Sequence, residues 1–170
     1  MENRPDPHRK TGTVMLVIAW LLVFSGIYWF FDNWYQRQDN PNTAAALQAH
    51  QEEVVLQRNR AGHYVAPGTI NATSVTFLID TGATQVALSE SLASRLGVRR
   101  GGNVSVHTAN GTATGYVTRL EKVRIGSIEV HDVSALVAPG MEGDIVLLGM
   151  SFLKQVEFTQ RNGQLILKPL

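Results

Sequence analysis

Residues 75–84 read Val75-Thr76-Phe77-Leu78-Ile79-Asp80-Thr81-Gly82-Ala83-Thr84. Five residues of strand-forming type run into an acid, and the acid runs into Thr-Gly. Val75–Ile79 is nearly all apolar, β-branched or aromatic, as a strand with buried faces requires. A carboxylate at the end of such a strand is delivered into a tight turn, where Gly82 lets backbone come close to it. Read alone, Asp80-Thr81-Gly82 is better explained as a plain turn whose Asp caps backbone N–H groups. The sequence on either side decides between the two.

Working outward, Val54–Arg58 and His63–Ile70 read as strands on the N-terminal side, with a turn near Ala61-Gly62. On the C-terminal side Val86-Ala87-Leu88 is a short strand. Ser89 then caps the one clear helix of this part of the chain. Glu90 sits in its first turn, Leu92 and Leu96 share a face, and Gly97 ends it. Three hairpins follow from their turn chemistry, at Asn110-Gly111, Gly126-Ser127 and Asn162-Gly163. Ile145–Leu148 is a hydrophobic run ending at Gly149, and Ser151–Gln155 has the composition of a helical turn. Many short strands, close turns and one short helix predict a mainly β domain built as a closed β barrel over 54–170.

The chain from Val54 to Leu170 resembles the retropepsin-like aspartic proteases, in particular a bacterial membrane-anchored branch. The resemblance rests on Gly62-His63-Tyr64, on Phe77–Thr84, on Leu92-Ala93 through Leu96-Gly97, and on Leu147-Leu148-Gly149-Met150-Ser151-Phe152-Leu153. In that family two hydrophobic residues and a glycine pack beside the catalytic turn. Leu147-Leu148-Gly149 stands in the right order, with Gly149 sixty-nine positions after Asp80. The resemblance implies an acid-protease lobe with one aspartate per subunit.

Peptide hydrolysis by carboxylates needs two of them, one ionised to take a proton from water and one protonated to polarise the scissile carbonyl. Only Asp80 is followed by Thr-Gly. Asp132, Glu142 and Asp144 are not, and Asp144 reads as a surface turn residue. The second carboxylate is therefore expected from a second copy of the chain, and the family resemblance implies the same homodimer. Two like charges about 3 Å apart cannot both ionise, so such a pair shares a proton and titrates as a unit, as in aspartic proteases generally. The resemblance makes Asp80 catalytic and Thr81 a hydrogen-bonding lock between the two turns. It makes Gly82, Ala83, Leu147, Leu148 and Gly149 the supporting residues. A hydroxyl at position 83 would favour the charged carboxylate by donating to it, and Ala83 cannot, so a mildly acidic working pH is expected. Ala109, Asn110, Gly111 and Thr112 fall where such enzymes carry a flap. Their small, polar composition suits a mobile lid, and suits an ordinary exposed hairpin too.

Thr13–Phe31 is nineteen residues without a charge. At about 1.5 Å per residue it reaches roughly 28 Å, close to the thickness of a bilayer's hydrocarbon core. Arg4, Arg9 and Lys10 precede it, and Arg37 is the one basic residue in the twenty positions after it. That bias puts residues 1–12 in the cytoplasm and the rest outside. Tyr28, Trp29, Trp34 and Tyr35 cluster at the far end, as an interfacial aromatic belt does. A cleaved signal peptide is the rival reading. It has a shorter apolar region, and the small residues Ala44–Ala46 lie well beyond this one. A buried core helix would need an equally apolar partner. The expected order is a cytoplasmic segment 1–12, a transmembrane helix 13–31, a linker 32–53 and a periplasmic domain 54–170, in a single-pass inner-membrane protein.

Composition narrows the function further. Fifteen Lys+Arg against fourteen Asp+Glu leave no basic footprint for nucleic acid. No cysteine is present, so disulfides, thiolate catalysis and cysteine-bound metal are excluded. The five histidines lack metal-ligand spacing, so neither a metal nor a cofactor is expected. The expectation is a membrane-anchored aspartic endopeptidase acting on polypeptides as a homodimer. The alternatives are a catalytically silent peptide-binding module and a structural envelope protein of the same fold.

Overall fold

The strand ending at Asp80 is one stave of a barrel. A computed structural model describes residues 7–44, 47, 53–108, 111–141 and 143–170. The chain divides into two compact units, Met1–Gln38 and Asp39–Leu170. The first holds most of helix α1, Pro7–Asp39, within which Val14–Tyr35 is long and apolar enough to cross a membrane. Its side chains from 14 to 35 are all exposed.

The second unit contains β1 (Val54–Gln57), β2 (Val65–Ile70), β3 (Thr73–Ile79), β4 (Val86–Leu88), α2 (Glu90–Leu96), β5 (Asn103–Thr108), β6 (Gly111–Ile125), β7 (Ile128–Val137), β8 (Ile145–Leu148), α3 (Met150–Leu153), β9 (Val156–Arg161) and β10 (Gln164–Pro169). Six strands run β2-β3-β8-β4-β7-β6, and β6 returns to β2 through Thr69 opposite Arg124 and Ile70 opposite Val123. The expected closed barrel is therefore present. β5 extends it as an arm on β6. A separate sheet, ordered β1-β10-β9, stands beside it.

Closure follows from alternation. Val75 and Phe77 of β3 are buried while Thr76 and Leu78 are less so, and Leu88, Leu120, Val133 and Leu148 fill the interior from other staves. Phe152 and Leu153 of α3 plug one side and are fully buried. α2 forms as its sequence dictates. Ser89 Oγ accepts the Leu92 N–H, and Gly97 ends the helix with φ 62°, which a side chain would strain.

Two features differ from the sequence reading. β6 is continuous over fifteen residues, because its pairing with β7 resumes in the same register on either side of Glu121 and Asp132, whereas the sequence suggests two pieces, 112–117 and 123–125. β5 and β6 pair with Thr108 opposite Gly111, so Gly111 is a strand residue and not half of the expected Asn110-Gly111 turn. Ala109, Asn110 and Glu142 themselves lie outside the described residues, as do Ala45 and Ala46.

The second unit begins at Asp39, ahead of the position 54 expected for the barrel domain. Asn42 is buried at 3% exposure. Its amide donates to Gln57 O at 2.9 Å and Val65 O at 2.7 Å, and its Oδ1 accepts the Gln57 N–H at 2.7 Å. Leu47 joins the core, and Asn59 Nδ2 donates to Asp39 O. Residues 39–44 and Leu47 thus form a strap on the sheet.

Candidate active site

Two parallel strands present the site. β3 and β8 run side by side with Ile79 opposite Leu148, so Asp80 and Gly149 emerge at adjacent strand ends. Asp80 N–H donates to Leu148 O at 3.2 Å, and the preceding Ile79 N–H donates to Tyr64 O at 2.9 Å. The acid is thereby held on both sides by backbone. Its own side chain closes the turn, with Oδ1 accepting the Gly82 N–H at 2.9 Å. Ala83 N–H reaches Asp80 O at 3.3 Å, and Ala83 O accepts the Met150 N–H at 2.8 Å.

That last bond ties the turn to the start of α3 and explains Gly149. A Cβ on Gly149 would collide with Gln85 O and lie 2.7 Å from Ala83 O, both rigid backbone atoms. The glycine is needed for contact, and its conformation is one any residue adopts. Leu148 is fully buried beneath the turn and Leu147 partly so.

The structure brings together Asp80, Gly82, Ala83, Leu148 and Gly149. Thr81, Gly82 and Thr84 are exposed at the tip, and Asp80 is half-buried. Gly111 and Thr112 begin β6 on the arm, apart from this cluster in the strand order. The root of that arm is fixed by Tyr116, whose OH donates to Glu90 Oε1 at 3.1 Å with Arg100 stacked 4.3 Å from its ring centre. Burial, reinforced by the Glu90 carboxylate, pushes the Tyr116 phenol up from its ordinary value, so it stays a donor.

No second acid stands beside Asp80 among the described residues. Asp144 is engaged by both terminal nitrogens of Arg95, Asp132 by Arg119, and Glu129 by Lys122, Arg124 and His131. Among the described residues no group of three His, Cys, Asp or Glu side chains could hold a metal ion.

Ser151 belongs to the support of this site and is not evident from the sequence. Its Oγ donates to Ser134 O at 2.7 Å and accepts the Val86 N–H at 2.9 Å, joining α3 to β7 and β4. The available signal is a lone hydroxyl residue inside an apolar run, Leu147–Leu153. Tyr64, whose carbonyl holds Ile79, buries a hydroxyl that has no hydrogen-bond partner among the described residues.

A barrel of this topology with Asp-Thr-Gly at the end of β3 and a Gly-led helical turn packed against it defines the retropepsin-like lobe. The family model for the gag-polyprotein putative aspartyl protease matches residues 66–155, more than half the chain. A solved retropepsin-like aspartic protease from Rickettsia conorii is 31% identical, with a TM-score of 0.57, covering 69% of this chain and 89% of that one. The chain belongs to the retropepsin-like aspartic protease family.

An uncharacterised protein encoded in the cobV 5′ region of a Sinorhizobium species is 37% identical over 113 residues, covering 65% of this chain. An uncharacterised Rickettsia prowazekii protein is 32% identical over 106 residues, covering 61%. The chain spans about half the length of these curated relatives, 48% and 45% respectively.

Proposed function

We propose that the protein is a membrane-anchored aspartic endopeptidase whose active site is completed by a second copy of the chain. The observation that carries this reading is the single, exposed acidic turn. Asp80 is presented by two parallel strands and closed by the Gly82 N–H, and no other acid stands beside it among the described residues. One carboxylate cannot act as base toward water and as acid toward a carbonyl at the same moment. A two-fold axis beside the turn would supply the second from the same position of the partner.

In this reading a water lies between the two Asp80 side chains. One carboxylate takes its proton as the oxygen attacks the peptide carbonyl, and the protonated partner donates to that carbonyl oxygen. The tetrahedral intermediate then breaks as a proton passes to the leaving nitrogen. Thr81, exposed at the tip, would bond across the axis, and Gly82 would hold the carboxylate's orientation. The arm formed by β5 and β6 would close over the substrate. Helix α1 would cross the bilayer over Val14–Tyr35, and the basic residues before it favour a cytoplasmic N-terminus with the barrel outside. Holding both copies in one membrane raises their effective concentration and favours pairing.

Asp80→Asn tests the chemistry. The amide oxygen still accepts the Gly82 N–H, so the turn persists, but an amide cannot act as a base. Cleavage of a mixed peptide library by the full-length protein in detergent should disappear while thermal unfolding stays near wild type. Cleavage that survives in this variant would overturn the catalytic reading.

A further inference from the structure

β6 is paired with β7 along one side, while its other side is covered from both ends and open in the middle. Toward the arm, β5 pairs with it as far as Tyr116. Val117 then exchanges bonds with the loop before β5, its N–H donating to Gly102 O at 3.0 Å and its carbonyl accepting the Gly101 N–H at 2.9 Å. From the other end, β2 pairs with Arg124 and Val123. Asn71 takes Lys122, donating its N–H to Lys122 O and accepting the Lys122 N–H at Oδ1. Among the described residues no strand lies beside 118–121 on this side. An uncovered strand edge is a template for another strand.

Alternation says which groups are free. In an antiparallel ladder both backbone groups of a residue face the same neighbour, and successive residues alternate sides. Val117 faces the loop, so Thr118 and Leu120 face β7 and Arg119 faces the gap. Its N–H and C=O have no backbone partner there among the described residues. The gap opens into a groove of about 860 Å³. From Val117 to Lys122 it runs roughly 16 Å, room for about four residues of extended chain. Leu96, Val98 and Val117 are half-buried along its wall, Arg99 and Arg100 stand exposed at the arm end, and Glu121 is exposed toward Asn71. The Arg119 guanidinium is held by Asp132, and Arg100 is stacked on Tyr116. Neither Arg99 nor Arg100 has an ion-pair partner among the described residues.

We infer that this gap is a docking site for an extended polypeptide segment, paired with the Arg119 backbone and carrying an acid at the end that meets Arg99 and Arg100. The free donor and acceptor select a peptide backbone over a lipid headgroup or a small anion. The two guanidinium groups attract an acid at one end of the groove, and Glu121 repels it at the other. The occupant is a part of the substrate remote from the bond that is cut. This deepens the endopeptidase reading and rests on it.

Full-length Asp80→Asn in detergent, which binds without cutting, is titrated against fluorescein-labelled Asp-Asp-Thr-Val-Thr-Val and Thr-Val-Thr-Val-Asp-Asp. Peptides with lysine in place of aspartate are the controls. Anisotropy should show one acidic peptide binding about tenfold tighter than its control, and Arg99→Glu should erase that preference. Arg119→Pro removes the free N–H on the side away from β7 and should weaken binding, while Arg119→Ala should not. Should Arg119→Pro fail to fold, Arg99→Glu decides alone. Fusing the acidic segment to a peptide that the wild-type chain cuts should lower KM about tenfold at unchanged kcat, and should not do so in Arg99→Glu. An absent preference, one that survives Arg99→Glu, or a folded Arg119→Pro that binds as wild type does overturns the docking site and leaves the endopeptidase reading standing. If the acidic peptide binds as expected but the wild-type chain cuts no peptide, the docking site stands and the endopeptidase reading fails.

Discussion

Ser151 shows how much a single uncharged side chain can hold. It sits at 7% exposure and satisfies a carbonyl on β7 and an N–H on β4 simultaneously. Ser151→Ala leaves both backbone groups buried without a partner, at a cost of about 2 kcal/mol. Thermal unfolding of the variant should show a midpoint lowered by several degrees; an unchanged midpoint would mean that water replaces the hydroxyl without loss. Glu129 is a different case, at the surface of the β6–β7 hairpin. Hydrogen bonds from Lys122 and then Arg124 lower its carboxyl from 4.5 to about 2. A carboxyl lowered on folding contributes stability above its unfolded value, and that contribution is lost as pH falls from about 4.5 toward 2. Glu129→Gln should therefore flatten the decline of thermal stability across that window; a slope equal to wild type would contradict the assignment.

Among the elements, the strap has the clearest structural consequence. Asn42→Ala removes three hydrogen bonds from a buried position and exposes the β1 edge. A loss of about 3 kcal/mol is expected, measured by denaturant unfolding of the full chain. A loss below about 0.5 kcal/mol would show that the Asn42 bonds are dispensable to the sheet. None of this is legible in the sequence, because Asn42 acts on residues fifteen and twenty-three positions away. Before the partners are known it reads as part of a polar linker. What is legible has local causes. The Ser89 cap, the Asn162-Gly163 turn and the apolar strand into Asp80 each carry their chemistry within a few residues. The same limit explains Ser151, whose bond to Val86 spans sixty-five positions. It also explains β6, where the charged residues between 118 and 122 hide the strand from a local reading and pairing with β7 carries it through. The acidic turn is readable from the motif. The bond that clamps it, Met150 N–H to Ala83 O, is visible only in three dimensions.

For the molecule as a whole, an apolar helix that can cross a membrane precedes a closed barrel with one acidic turn. The central claim is that two such turns make one site, and it predicts how activity scales when subunits are mixed. Co-expressed wild-type and Asp80→Asn chains, in equal amounts and in one membrane, should pair at random. A pair with one amide lacks the base or the acid, so only pairs of two wild-type chains cut. Activity relative to wild-type chains alone at the same total amount should fall to about one quarter, and should vary as the square of the wild-type fraction across the titration. A linear dependence, with about one half remaining at equal amounts, would mean that each chain cuts alone and would contradict the account.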